Sequence, residues 1–102
     1  MLHTTWPGLS GVMPRVVLGA WPSPLEAKIV RGHEVLFKRE DLSAEGYAGN
    51  KIRPLEMVFG AARAAGLGEI WSTGAYGSNH ALAAVVHARR QGLFGGAILW
   101  PQ

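Results

Sequence analysis

From Glu34 onward, apolar runs and turn-forming residues alternate in one fixed order, and that order constrains the fold more than any single motif. "EVLFK" (34–38) reads as a short strand, left through the charged exit Arg39-Glu40-Asp41 and the turn-forming "SAEGYAG". Ile52, Leu55, Phe59 and Ala62 then recur at helical spacing until "GLG" (66–68) stops the pattern. "EIWST" (69–73) reads as a second strand and "GAYG" (74–77) as a tight turn. Ser78 is a good N-cap for a second helix running to about Gln91, with Ala81, Val85 and Ala88 on one face and Gly92 ending it. "GAILW" (96–100) is an apolar run of buried-strand type. Strand, helix, strand, helix, strand implies right-handed crossovers and an α/β fold with a parallel sheet. Such sheets are covered by helices on both faces. No helix follows the last strand, so the fold is expected to be incomplete at the C-terminus, or completed by a partner.

Four prolines fall in the first 24 positions (Pro7, Pro14, Pro22, Pro24), which predicts an extended or turn-like arm rather than a helical one. Charged residues make up 17% of the chain, below the usual share of about 25% for soluble domains. The same short chain carries four tryptophans, expected in a core or a buried interface, so much of the surface is expected to face other protein. The formal charge is +3, but the ten Lys and Arg residues are spread along the chain instead of clustering on one face. That distribution argues against nucleic acid and is better used on a small anionic ligand. With no cysteine there is no disulfide or thiolate metal site, and the four histidines lack the paired helical spacing of a zinc site, so no metal is expected. No leader-like N-terminus and no apolar run of bilayer length is present, which makes a cytoplasmic protein the expectation.

Two segments could carry chemistry, and both lie where strands feed helix N-termini, the usual ligand position in parallel α/β folds. In "GAYGSNH" (74–80) the backbone N–H groups of Ser78, Asn79 and His80 stand at a helix start, able either to serve a plain Ser cap or to hold a carboxylate or phosphate. In "YAGNKIRPLE" (47–56) Lys51 stands at the positive end of a helix dipole, a placement that costs a cation about 0.3–1 kcal/mol. It is either a solvated loop lysine or one whose neutral amine is favoured for attack on a carbonyl. Gly46-x-x-Gly49-Asn50-Lys51 lacks the Gly-Lys-Ser/Thr ending of a nucleotide loop, and no G-x-G-x-x-G occurs. His87 and His33 read as structural or solvated.

"LGAWPSPLE" (18–26), "LFKREDLS" (36–43), "GNKIRPLE" (49–56) and "GAYGSNHALA" (74–83) stand in the order and spacing of another group of proteins. Together they resemble the 1-aminocyclopropane-1-carboxylate deaminase and D-cysteine desulfhydrase family, pyridoxal-phosphate enzymes with a tryptophan synthase beta-like fold. The resemblance implies that residues 1–48 form an arm and first strand joining a larger domain, and that residues 49–102 form the lysine loop and the start of a small α/β domain. It implies pyridoxal 5'-phosphate as cofactor and Lys51 as the Schiff-base lysine. Asn79 would bond the cofactor's 3-oxygen, Ser78 would place its hydroxyl beside the reacting carbon, and the amides of Ser78 to His80 would hold the substrate carboxylate. The substrate would be a small amino acid, the products a 2-oxo acid and ammonia, with sulfide from a thiol substrate.

Ala48 departs from the family, which often has a second glycine there, and Ser78-Asn79-His80 resembles the desulfhydrases more than the Ser-Asn-Gln of the cyclopropane deaminases. The glycine-rich phosphate cup, the residue facing the pyridine nitrogen and the late tyrosines of the family would follow Gln102. The 102 residues alone are therefore expected to be inactive and to associate with the rest of the fold or with further copies. The alternatives are a non-catalytic interaction module that keeps the α/β fold, and a small-anion-binding domain using only the Ser78 helix start.

Overall fold

A computed structural model describes residues 2–102. A four-residue helix, α1 (Leu2–Thr5), is followed by a 3₁₀ turn over Pro7–Gly11, so the first part of the proline-rich arm is helical where extended chain was expected. Pro7 does not oppose this, because it occupies the first position of the turn, where the missing N–H would have had no acceptor. From Pro14 to Pro24 the arm has no regular structure, as its prolines predict.

The strand read at 34–38 is β2 (His33–Lys38), but it does not enter a parallel sheet. It pairs antiparallel with β1 (Leu25–Val30), a strand that the sequence reading did not anticipate, with Leu25 opposite Lys38 and Val30 opposite His33. The two-residue turn Arg31-Gly32, both with positive φ, closes this hairpin and gives β2 a nearer partner than any downstream strand.

The parallel sheet lies further on. β3 (Glu69–Ala75) pairs in parallel with β4 (Phe94–Trp100), Glu69 opposite Phe94 and Ala75 opposite Trp100, and α3 (Asn79–Arg90) makes the crossover. α2 (Ile52–Ala64) precedes them. Ile52, Leu55, Phe59 and Ala62, the four residues read as the buried stripe of that helix, are all buried. Leu55 and Phe59 meet Val16 from the arm and Ala83, Ala84 and Ala88 from α3. The core therefore sits between the two helices and the arm.

The sheet faces are left open. Ile98, Leu99 and Trp100 are exposed, although their run was read as a buried strand, and Trp6, Trp71 and Trp100 are each more than half exposed, so they lie outside the core of this chain, one of the two places expected for them. α3 covers only one face of a two-stranded sheet, so the other has nothing to pack on. The radius of gyration, 15.9 Å, exceeds the roughly 13 Å of a compact chain of this length, in keeping with two separate two-stranded sheets. No described helix is long and apolar enough to cross a membrane.

The strand exit "KRED" is an ion-pair lattice. Arg39 pairs with Glu26 and Asp41, and Arg53 pairs with Glu40 at 2.8 Å while its guanidinium lies 4.0 Å from the Trp21 ring. The hydrogen bond from Arg53, helped by that from Ser23, holds the Glu40 carboxyl below its ordinary value. A lowered carboxylate stabilises the fold above its unfolded-state value, and that contribution is lost as pH falls through the folded one. In urea titrations, Glu40→Gln is expected to lower the unfolding midpoint at neutral pH and to reduce its fall on acidification. Equal acid sensitivity in both proteins would exclude this role.

Candidate active site

Gly49 precedes Asn50 and Lys51 with φ of 122°, a backbone conformation that L side chains rarely adopt, and so turns the chain into α2. The buried Ser43 hydroxyl grips this loop from behind: Gly49 N donates to its Oγ at 3.1 Å. Lys51 is thereby delivered to the N-cap position of α2. Its side chain is exposed, makes no capping bond and, among the described residues, pairs with no carboxylate. Arg53, the other cation at this helix start, is neutralised by Glu40. Lys51 is left facing the positive end of α2 uncompensated.

The second segment forms as its sequence predicts. Ser78 caps α3, its Oγ accepting from Ala81 N at 3.2 Å, which leaves the hydroxyl proton free for another acceptor. Gly74 makes the cap possible, since a Cβ there would stand 2.5 Å from that oxygen. The Ser78 amide is already committed to the Ala75 carbonyl at 3.0 Å. Of the three amides expected to face an anion, the helix geometry thus leaves those of Asn79 and His80 without an intrahelical acceptor. Ser78→Ala is expected to cost about 1 kcal/mol in chemical unfolding through the lost cap. A cost below about 0.3 kcal/mol would mean that the cap is not formed.

Tyr47 joins the two segments. Its hydroxyl donates to Asn79 Oδ1 at 2.8 Å, and its carbonyl lies 2.8 Å from Nε2 of the buried His87, two turns further along α3. Arg90 also hydrogen-bonds the Glu45 carbonyl. The loop that ends in Lys51 is therefore fastened to α3 at the helix's first residue and twice near its end, through Tyr47, four residues before the lysine, and through Glu45. His87 is structural, as read. An apolar cavity of about 300 Å³ beside this helix start is lined by Gly77, Ser78, Ala81, Leu82, Val85, Ala97 and Leu99.

Toward the arm, the buried Glu56 carboxylate of α2 collects Arg15 at 2.6 Å, Trp21 Nε1 at 2.6 Å and the amides of Leu18 and Gly19 at 2.9 and 3.2 Å. Neither Tyr47 nor Glu56 was singled out from the sequence. Glu56 did carry a signal, because it continues the 52, 55, 59 stripe and so falls on the face of α2 turned inward.

No family model matches the chain. It is 37% identical over 102 aligned residues, 96% of the chain, to a protein of Pyrococcus abyssi provisionally named as 1-aminocyclopropane-1-carboxylate deaminase. It is 34% identical over 90 residues to D-cysteine desulfhydrase of Salmonella paratyphi C, and 41% identical over 95 residues to Nocardicin C-9' epimerase of Nocardia uniformis. A crystal structure described as an ACC deaminase homologue matches with a TM-score of 0.75 and 40% identity over 90% of the chain. The chain is thus similar to one stretch of proteins named as 1-aminocyclopropane-1-carboxylate deaminase and D-cysteine desulfhydrase. It spans 27–30% of the length of these relatives and 29% of the solved structure. The α/β architecture with a parallel sheet agrees with that neighbour.

Proposed function

We propose that the chain supplies the reactive amine and the substrate-holding edge of a pyridoxal 5'-phosphate enzyme acting on a small amino acid. The reaction would be C–N or C–S cleavage to a 2-oxo acid and ammonia, desulfhydrase-like more than ring opening. Residues 1–48 would belong to a larger domain and 49–102 to a smaller one, in a cytoplasmic protein working as an oligomer. The observation that carries this reading is the Tyr47–Asn79 bond, which holds the lysine loop against the start of α3.

The donor set fits such a cofactor: an unpaired amine for its aldehyde, a carboxamide for its ring oxygen, and two amides for a carboxylate. When bound, the cofactor supplies an electron sink for charge developing at the substrate's α-carbon. Lys51 Nζ would hold the cofactor and then move the α-proton. Ser78 would present its hydroxyl beside that carbon. The amides of Asn79 and His80, at the positive end of α3, would orient the substrate carboxylate.

Borohydride reduction after mixing with pyridoxal 5'-phosphate, followed by peptide mass mapping, tests the assignment. The chain has three lysines, Lys28, Lys38 and Lys51. Lys28 pairs with Glu26 and Lys38 hydrogen-bonds the Ser23 carbonyl, so the label is expected predominantly on Lys51. An even distribution over the three would sink the reading.

A second reading is favoured by the relative named as an epimerase. The same residues would then take a proton from the amino-bearing carbon and return it to the opposite face. Inversion of configuration without ammonia release would distinguish it.

A further inference from the structure

We propose that Tyr47 is a positioning residue that decides which edge of the Asn79 carboxamide faces the ligand. The inference rests on the proposed function, in which Asn79 meets the ligand. A carboxamide offers an acceptor edge and a donor edge of nearly the same shape, and an exposed one is free to present either. Here the Tyr47 hydroxyl donates to Oδ1 at 2.8 Å, which engages the acceptor edge and turns the NH2 outward. Tyr47 is itself held, because its ring packs on the core formed by Leu55, Phe59 and Ala84 and its carbonyl meets His87.

The outward edge then has donors only, so it takes an oxygen acceptor and rejects a ligand that presents a donor. Two groups of the proposed site have that chemistry: the ring oxygen of pyridoxal 5'-phosphate and a substrate carboxylate. Tyr47→Phe keeps the packing and removes only the bond, letting the carboxamide present its acceptor edge as well.

The test is a titration of the ¹⁵N-labelled chain followed at the Asn79 side-chain amide, with pyridoxal 5'-phosphate, its 3-deoxy analogue and acetate as probes. Wild type is expected to shift that amide, and Tyr47→Phe to weaken binding roughly 2- to 10-fold, the range of one neutral hydrogen bond. In an Asn79→Ala background, followed instead at the backbone amide of His80, the same substitution is expected to change nothing, because Tyr47 acts through Asn79. An effect with pyridoxal 5'-phosphate but not with the 3-deoxy analogue assigns the acceptor to the cofactor, and an effect with acetate assigns it to a carboxylate. Equal weakening in both backgrounds overturns the proposal, since a general loosening of the loop would do that. So does an unchanged affinity, or an Asn79 amide that no probe shifts. Selective labelling of Lys51 in those cases leaves the proposed function standing, whereas even labelling of the three lysines removes the function itself.

Discussion

Glu56→Ala is expected to remove most of the chain's stability, about 3–5 kcal/mol, the usual cost of breaking a buried ion pair by deleting one partner. Glu56 is 2% exposed. One of its oxygens accepts from the amides of Leu18 and Gly19 and from Trp21 Nε1, and the other from the Arg15 guanidinium. Deleting the carboxylate removes the acceptor of the Arg15 guanidinium and of three further donors. A domain of this size has roughly 5–15 kcal/mol in total, and the open sheets put this chain toward the lower end. Urea unfolding of Glu56→Ala against Glu34→Ala, an exposed carboxylate on β2, measures the difference. Loss of under about 1 kcal/mol from Glu56→Ala would mean that the arm is held by the backbone bond from Val16 N to the Glu56 carbonyl and by packing alone.

Lys51→Ala is expected to act in the opposite sense on stability and function. The side chain is exposed and unpaired at the positive end of α2, so its removal should leave the unfolding free energy unchanged or raise it by about 0.3–1 kcal/mol. On the proposed function, activity of a longer protein containing this segment should fall by on the order of 10²–10⁴-fold from the lost proton transfer alone. The borohydride label should fall to the background carried by Lys28 and Lys38. A variant that keeps both activity and label would show that another amine does this work. A variant that loses activity by unfolding would show that Lys51 is structural.

α2 and α3, the Ser78 cap and both candidate segments are legible in the sequence because each rests on local chemistry. Ile52, Leu55, Phe59 and Ala62 announce a buried stripe by spacing alone, and Ser78 announces a cap by what its oxygen can reach. The resemblance in four blocks singled out Lys51 and Asn79, but in the chain they are 28 residues apart, and sequence says nothing of what joins them. Pairing is where local reading fails. β2 takes β1 as its antiparallel neighbour through a two-residue turn, and no periodicity in "EVLFK" distinguishes that from membership in the parallel sheet. Burial fails likewise: "GAILW" has the composition of a covered strand, yet exposure depends on whether another layer lies over it. The Tyr47–Asn79 bond and the four-donor cluster at Glu56 join residues 32 to 41 positions apart. Sequence determined α2, α3, the strands β2 to β4 and the Ser78 cap, since those depend on neighbours within a few residues. Tertiary structure alone decided which strand pairs with which and what fastens the Tyr47 loop to α3, because hydrogen bonds between distant residues depend on how the whole chain packs.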